Sequence, residues 1–378
     1  MNRFKADDAT INISIPAKRG VVNQPMIYSL DFFNKNPKTI KCKSVMFYGA
    51  SGSGKSTIIK DFMFSMKHLF PRVVIFSPTA ELTSDYKGMI PDCLIYETIT
   101  LENLSSILAI QQEASEVYKI SNNIEILKKL FRRIESPPKR ERITRIETIK
   151  QSAMSQTRLL ENPYERKKTE DEVMESYKKA LIENYKSMIS ENMSFLKKSE
   201  LSEEEERVLK FINYIPDILV IFDDAATELK ALVRKGKKDN NNVIADFFFK
   251  GRHFNITHFY SFQDDSNLDT EIKKNAFISI FTTEQVANAF FGRASNNFNK
   301  DLIWKAQLCA SKVFKEDDEK SKSYRKLVYI RLDNSLKYYT ANMCEEFKMC
   351  SEAVWKYCEI AESESDKKPK TQYARFFT

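Results

Sequence analysis

With 378 residues, 42% of them hydrophobic and 27 of them phenylalanine, the chain can bury a sizeable core, which argues against wholesale disorder and allows one large domain or two modest ones. The formal net charge of +8 suits a polyanionic partner without requiring one. The six cysteines show no C-x₂-C spacing and the three histidines are scattered, so neither a zinc knuckle nor a disulfide framework is expected, and a reducing compartment fits. The segment Met1 to Ile11 is polar, unlike a signal peptide, and no apolar run approaches the roughly 20 residues of a membrane span.

In chain order, residues 1–37 form a mixed N-terminal segment in which Ile11 to Ile15 alternates like a short strand. Lys43 to Tyr48 reads as a buried strand that runs into a glycine-rich loop. Ser56 to His68 reads as a helix with Ile58, Ile59, Phe62, Met63 and Met66 on one face. Arg72 to Ser77 is a second buried strand, and Cys93 to Tyr96 a third. Residues 101–210 change character to charged sequence of helical period, read as an insertion in the sheet domain. Pro137-Pro138 breaks it, and Ser202 with Glu205 reads as an N-cap and capping box. A basic stretch there holds Lys128, Lys129, Arg132, Arg133, Lys139, Arg140, Arg142, Arg145 and Lys150, either a solvated helix face or a surface for DNA or a partner.

The strand pattern resumes within 211–345. Asp217 to Phe222 ends at Asp223-Asp224, Asn255 to Phe262 ends at Gln263, and Ala276 to Phe281 follows. Leu327 to Leu332, a turn at 333–335 and Leu336 to Tyr339 read as a closing hairpin. Residues 346–378 supply a short helix with Trp355 and a tail that is polar from Ser363. Strands alternating with helices at this spacing predict a mostly parallel α/β sheet split into a first core part, 38–100, and a second, 211–345.

Gly49 to Ser56 matches G-x₄-G-K-[ST] in full, between a buried strand and an amphipathic helix. Gly49, Gly52, Ser53 and Gly54 let backbone N–H groups curl around phosphates, and the following helix presents its positive end, with Thr57 in its first turn. Lys55 then reaches the β- and γ-phosphates of ATP, and Ser56 offers its hydroxyl to Mg²⁺. Asp223, at a strand end, is the second expected metal ligand, and Asp224 the group that orients or deprotonates the attacking water. Asp264-Asp265 competes for these roles but follows a more polar strand. Gln263 is placed to sense the γ-phosphate from a strand lying between the other two. Arg252 is a candidate arginine finger for a neighbouring subunit, with Arg293 the next.

Gly49 to Thr57, Phe222-Asp-Asp-Ala, and Gly251-Arg-His-Phe-Asn-Ile-Thr leading to Gln263 together resemble the genome-packaging ATPases of large eukaryotic DNA viruses, poxvirus-type members of the FtsK–HerA superfamily of DNA pumps. Lys274-Asn275-Ala276 is similar to the Arg-x-Asn of that family; Ala225 departs from its usual Cys, and Lys273-Lys274 from its usual Arg. The resemblance covers about 40–100 and 215–345. It implies a P-loop fold with an additional strand and a homo-oligomeric ring. Such a ring drives double-stranded DNA, without sequence preference, into a preformed capsid. It also implies capsid or portal-vertex partners and a place in the host cytoplasm, viral factory or virion. Other classes remain open at this stage: a phosphotransferase with a helical lid, a DNA translocase outside packaging, and a non-hydrolysing scaffold.

Overall fold

The computed structural model describes residues 10–15, 26–79, 85–239, 243–263, 270–315 and 325–365. Asp264-Asp265 and the tail from 366 lie outside them. The chain divides into two compact units, one of Met1–Gln112 with Pro216–Thr378 and one of Glu113–Ile215.

The first unit is built on an eight-stranded sheet in the order β10-β9-β8-β3-β7-β6-β4-β5. Its strands are β3 (Ser44–Tyr48), β4 (Arg72–Phe76), β5 (Ile95–Tyr96), β6 (Ile218–Asp223), β7 (Ile256–Phe262), β8 (Ala276–Phe281), β9 (Arg325–Ile330) and β10 (Ser335–Thr340). β3 to β8 pair in parallel, and only β9, the first strand of the closing hairpin, runs against them; β10 turns back into their direction. A separate antiparallel pair, β1 (Ile11–Ile15) and β2 (Met26–Leu30), and a one-turn helix, α1 (Pro37–Ile40), precede the sheet. The α/β class and the mostly parallel sheet are as the sequence pattern predicts. β5 is shorter than expected, because Asp92–Leu94 forms a tight 3₁₀ turn. The hairpin turn falls at 331–334, two residues early, with Asn334 taking its left-handed position (φ 55°).

Both faces of the central strands are covered, so their residues alternate between two cores rather than between core and water. Val45 and Phe47 of β3 pack with Ile58, Ile59, Phe62, Met63 and Met66 of helix α2 (Lys55–Met66), the face read from the sequence. Met46 and Tyr48 point into the opposite layer. That layer receives the first half of α3 (Leu101–Ser121), through Leu104, Ile107 and Leu108, and α8 (Ala226–Lys238), through Leu229 and Val233. It also receives α9 (Glu284–Gly292) and α10 (Lys300–Lys315). Gln111 of α3 donates to the carbonyls of Pro216 and Phe254 and accepts from Arg72. This explains why the helical unit begins only at Glu113, about twelve residues later than the charge pattern suggests: the start of α3 belongs to the sheet.

The second unit contains the rest of α3, α4 (Ile124–Arg133), α5 (Pro137–Thr157), α6 (Pro163–Glu191) and α7 (Glu203–Lys210) around its own core, which includes Leu127, Leu130, Tyr185, Ile189 and Val208. α5 starts at Pro137, where a missing N–H costs nothing. Ser202 and Glu205 form the expected capping box.

His258 of β7 is fully buried against Phe247, Phe248 and Tyr260, and its Nε2 makes no hydrogen bond among the described residues. Burial pushes its pKa from 6.5 down to about 3. Between those values the unfolded chain takes up a proton that the folded one refuses. Stability is therefore full above about pH 6.5 and falls as the pH drops. The slope is about 1.4 kcal/mol per pH unit. Chemical denaturation at pH 7 and pH 5 should show a loss about 2 kcal/mol larger in the wild type than in His258→Gln; equal losses would mean that another group carries the acid sensitivity.

Candidate functional site

The site lies on the carboxyl rim of the parallel strands, where an open α/β sheet presents its ligands. Three main-chain bonds stitch that rim just beyond the strand ends: Gly49 N to Phe262 O at 3.0 Å, Thr282 N to Tyr48 O at 3.0 Å and Asp224 N to Ser261 O at 3.1 Å. They set the phosphate loop, Gln263, Thr282 and Asp224 side by side. β7 lies between β3 and β6, so Gln263 sits on the intervening strand, as the sequence reading requires.

The loop is shaped by its glycines. Gly52 and Gly54 have φ of 72° and 88°, which side-chain-bearing residues rarely adopt. Gly49 is needed for space: a Cβ there would stand 1.8 Å from Thr282 Oγ1 and 2.4 Å from Ser53 Oγ. Thr282 donates to Ser53 Oγ at 2.7 Å, bracing the loop from β8. Lys55 Nζ donates to the carbonyls of Gly49 at 2.7 Å and Ala50 at 3.1 Å. Burial lowers the Lys55 pKa, while Asp224 and Asp223 act to raise it, so both carboxylates lie within electrostatic reach of the ammonium.

Asp223 and Asp224 are adjacent yet differ in environment. Asp223 is buried, and its Oδ2 accepts from the Tyr86 hydroxyl at 2.8 Å. Burial raises its pKa; the hydroxyls of Ser261 and Tyr86 pull it down, and Asp85 pushes it up again. Asp224 leaves the strand in a left-handed conformation (φ 53°) that turns its side chain out to solvent. Its Oδ2 lies 3.5 Å from Gln263 Nε2. Ser56, in the first turn of α2, approaches Asp85 Oδ2 at 3.4 Å.

Magnesium is a hard cation that takes oxygen ligands and keeps several waters. The Ser56 hydroxyl and the buried Asp223 carboxylate are donors of that kind beside the phosphate loop, so the residues present fit the ion.

Arg252 is not among the residues brought together. It lies in a 3₁₀ turn (Gly251–Phe254) before β7, at the opposite end of the strand from Gln263, and is exposed with Nε 3.3 Å from His253 Nε2. Lys273 and Lys274 likewise precede β8 on that far rim, and Arg331 Nη1 donates to the Lys273 carbonyl at 2.7 Å. Arg293 caps the end of α9. The sequence reading missed Tyr86, Asp85 and Thr282. It also missed Lys326 of β9, a buried lysine whose Nζ lies 4.0 Å from where a Gly54 Cβ would be. None of the four belongs to a motif, and only the fold brings them to the rim.

In the helical unit five of the nine residues of the basic stretch are engaged internally. Arg133 pairs with Glu205 at 3.0 Å, Arg140 with Glu135 at 2.7 Å and Arg145 with Glu141 at 3.7 Å. Lys139 donates to Asn192 at 2.9 Å, and Lys150 sits over Tyr177. These contacts favour a solvated, self-paired helix face over a dedicated DNA surface.

Fold and site together define a P-loop NTPase of the class with an additional strand between the phosphate-loop strand and the acidic strand. No family model matches the chain. Over 340 residues it is 28% identical to an uncharacterized protein, B354L, of African swine fever virus (isolate Pig/Kenya/KEN-50/1950), covering 85% of this chain and 88% of that one. A shorter match, 46% over 48 residues, joins 13% of the chain to 15% of the uncharacterized protein 015R of Frog virus 3 (isolate Goorha). Both are virus proteins, the source that the motif resemblance implies. Among solved structures, the genome packaging NTPase B204 from Sulfolobus turreted icosahedral virus 2, in complex with ATP-gammaS, is similar at 12% identity and a TM-score of 0.35. That match covers 82% of this chain and 100% of that one.

The geometry of Gly49 gives a direct test. Gly49→Ala should abolish nucleotide binding, measured by fluorescence of a labelled ATP, while far-UV circular dichroism stays unchanged. Adding Thr282→Ala opens the crowded side of the loop and should restore part of the affinity. A Gly49→Ala protein that binds normally would show that the loop does not hold phosphate in this conformation.

Proposed function

We propose that the chain is an ATP-hydrolysing motor that moves double-stranded DNA into a preformed capsid, working as a homo-oligomeric ring in the infected cell's cytoplasm or viral factory. The observation that carries this reading is Gln263 on β7, between β3 and β6 and 3.5 Å from Asp224. An intervening strand with a polar tip beside an exposed carboxylate suits hydrolysis by water: one group orients it and the other follows the γ-phosphate.

In this reading Lys55 exchanges its carbonyl partners for the β- and γ-phosphates. Ser56 and Asp223 would hold Mg²⁺, which supplies charge neutralisation across those phosphates. Asp224, free of the strand and open to solvent, orients the attacking water or takes its proton. Arg252, on the far rim from its own loop, would serve a neighbouring subunit.

Hydrolysis must be linked to DNA, and α8 offers the link. It starts two residues after Asp224, buries Leu229 and Val233, and exposes Arg234, Lys235 and Lys238 toward its far end. A cationic face suits a phosphate backbone without sequence preference. Capsid or portal-vertex proteins are the partners such a motor requires.

ATP hydrolysis measured with and without duplex DNA tests the reading: stimulation by DNA of any sequence is expected, whereas turnover that needs a small acceptor instead would mark a phosphotransferase. DNA affinity should fall steeply with salt. Each neutralised phosphate contributes about −0.9 to the slope of log K against log salt, so replacing Arg234, Lys235 and Lys238 by Ala should flatten it by up to about 2.7. An unchanged slope would remove α8 from the DNA path. Asp224→Asn and Arg252→Ala should each bind ATP but turn it over slowly. Mixing Arg252→Ala with Lys55→Ala subunits should recover activity, and mixed rings with none would rule out a role in trans.

A further inference from the structure

Residues 85 and 86 touch both candidate magnesium ligands. Tyr86 is 2% exposed, and its hydroxyl donates to Asp223 Oδ2 at 2.8 Å. The preceding residue, Asp85, has Oδ2 3.4 Å from Ser56 Oγ and Oδ1 3.0 Å from Lys60 Nζ. Ser56 and Lys60 are one turn apart on α2 and share a face. Two consecutive residues therefore address, one each, the two oxygen donors on which the metal reading rests.

The chemistry of these contacts is directional. A hydroxyl that donates its proton to a carboxylate turns its lone pairs away from that carboxylate and becomes a better donor to a cation. Lys60 holds the other oxygen of Asp85, so Asp85 keeps its place beside Ser56. On the opposite side, the Tyr86 hydroxyl occupies Oδ2 of Asp223. This fixes the rotation of the carboxylate. Groups that orient metal ligands from behind tune the affinity of the metal as strongly as many ligands do.

We propose that Asp85 and Tyr86 are the positioning pair of the magnesium site, Asp85 orienting the Ser56 hydroxyl and Tyr86 the Asp223 carboxylate. The inference rests on the nucleotide reading above. Neither residue touches nucleotide; both act through the side chains they hold. They follow β4 rather than the phosphate loop or β6, so the strand beyond the acidic strand also takes part in assembling the site.

The test reads metal dependence rather than turnover. Binding of a fluorescent ATP analogue is measured in EDTA and then as Mg²⁺ is titrated in, for the wild type, Tyr86→Phe and Asp85→Asn. Phe keeps the buried ring and Asn keeps the shape, so a thermal melt close to the wild type's verifies the fold. Each variant should need roughly 10–100-fold more Mg²⁺ to reach the tightened state, with its affinity in EDTA unchanged. A wild-type Mg²⁺ requirement in both variants would overturn the proposal. So would a loss of affinity in EDTA equal to the loss in Mg²⁺, since that is the mark of a merely structural residue. A wild type that binds no nucleotide in either condition would overturn the nucleotide reading itself, and the proposal with it. A wild type tightened by Mg²⁺ alongside indifferent variants overturns the proposal alone.

Discussion

A carboxylate withdrawn from water must be compensated, and the buried Asp223 imposes that requirement on everything around it. Its Oδ2 is met by Tyr86, and across the ladder it stands opposite Ser261. Meeting that demand docks the 85–86 turn over the rim. The main-chain ladder of β6 with β7 places Gln263 next to Asp224. One acidic strand end thus ties the 85–86 turn to the sheet edge that also carries Gln263 and the phosphate loop.

A second buried carboxylate does the same for the phosphate-loop helix. Asp61 is 2% exposed in the middle of α2, and its oxygens are held by Lys35 at 2.5 Å, by the main chain of Asn342 at 3.1 Å and by the Tyr339 hydroxyl. Removing one partner of such a group typically costs about 3–5 kcal/mol. The direction in which α2 presents its N-terminus to the loop is therefore tied to the closing hairpin and to the segment before β3. Hydrophobic packing alone, through Phe62 and Met63, would tolerate sliding; the ionic anchor does not.

The helical unit contrasts with this. Its charges pair with one another across α4, α5 and α7, and its core is separate from that of the sheet. A solvated, self-paired surface suits a module that folds by itself. The exposed cations best linked to the chemistry are instead on α8, which continues directly from Asp224.

Whatever depends on local pattern was determined by the sequence alone. A glycine loop between a buried strand and an amphipathic helix is a local object, since backbone freedom at Gly52 and Gly54 and the spacing to Lys55 need no distant partner. The same holds for the buried face of α2, for the capping box of Ser202 and Glu205, and for strand ends marked by polar residues at Asp223 and Gln263. Tertiary structure decided what lies across from what. Tyr86 meets Asp223 over a separation of 137 residues, and Thr282 meets Ser53 over 229, contacts with no signature in either local stretch. It also decided that Asp224 turns into the left-handed region, and that the start of α3 belongs to the sheet through Gln111. Periodicity reports which face of an element is buried, but the partner it is buried against is chosen by packing and by the need to satisfy every polar group taken out of water.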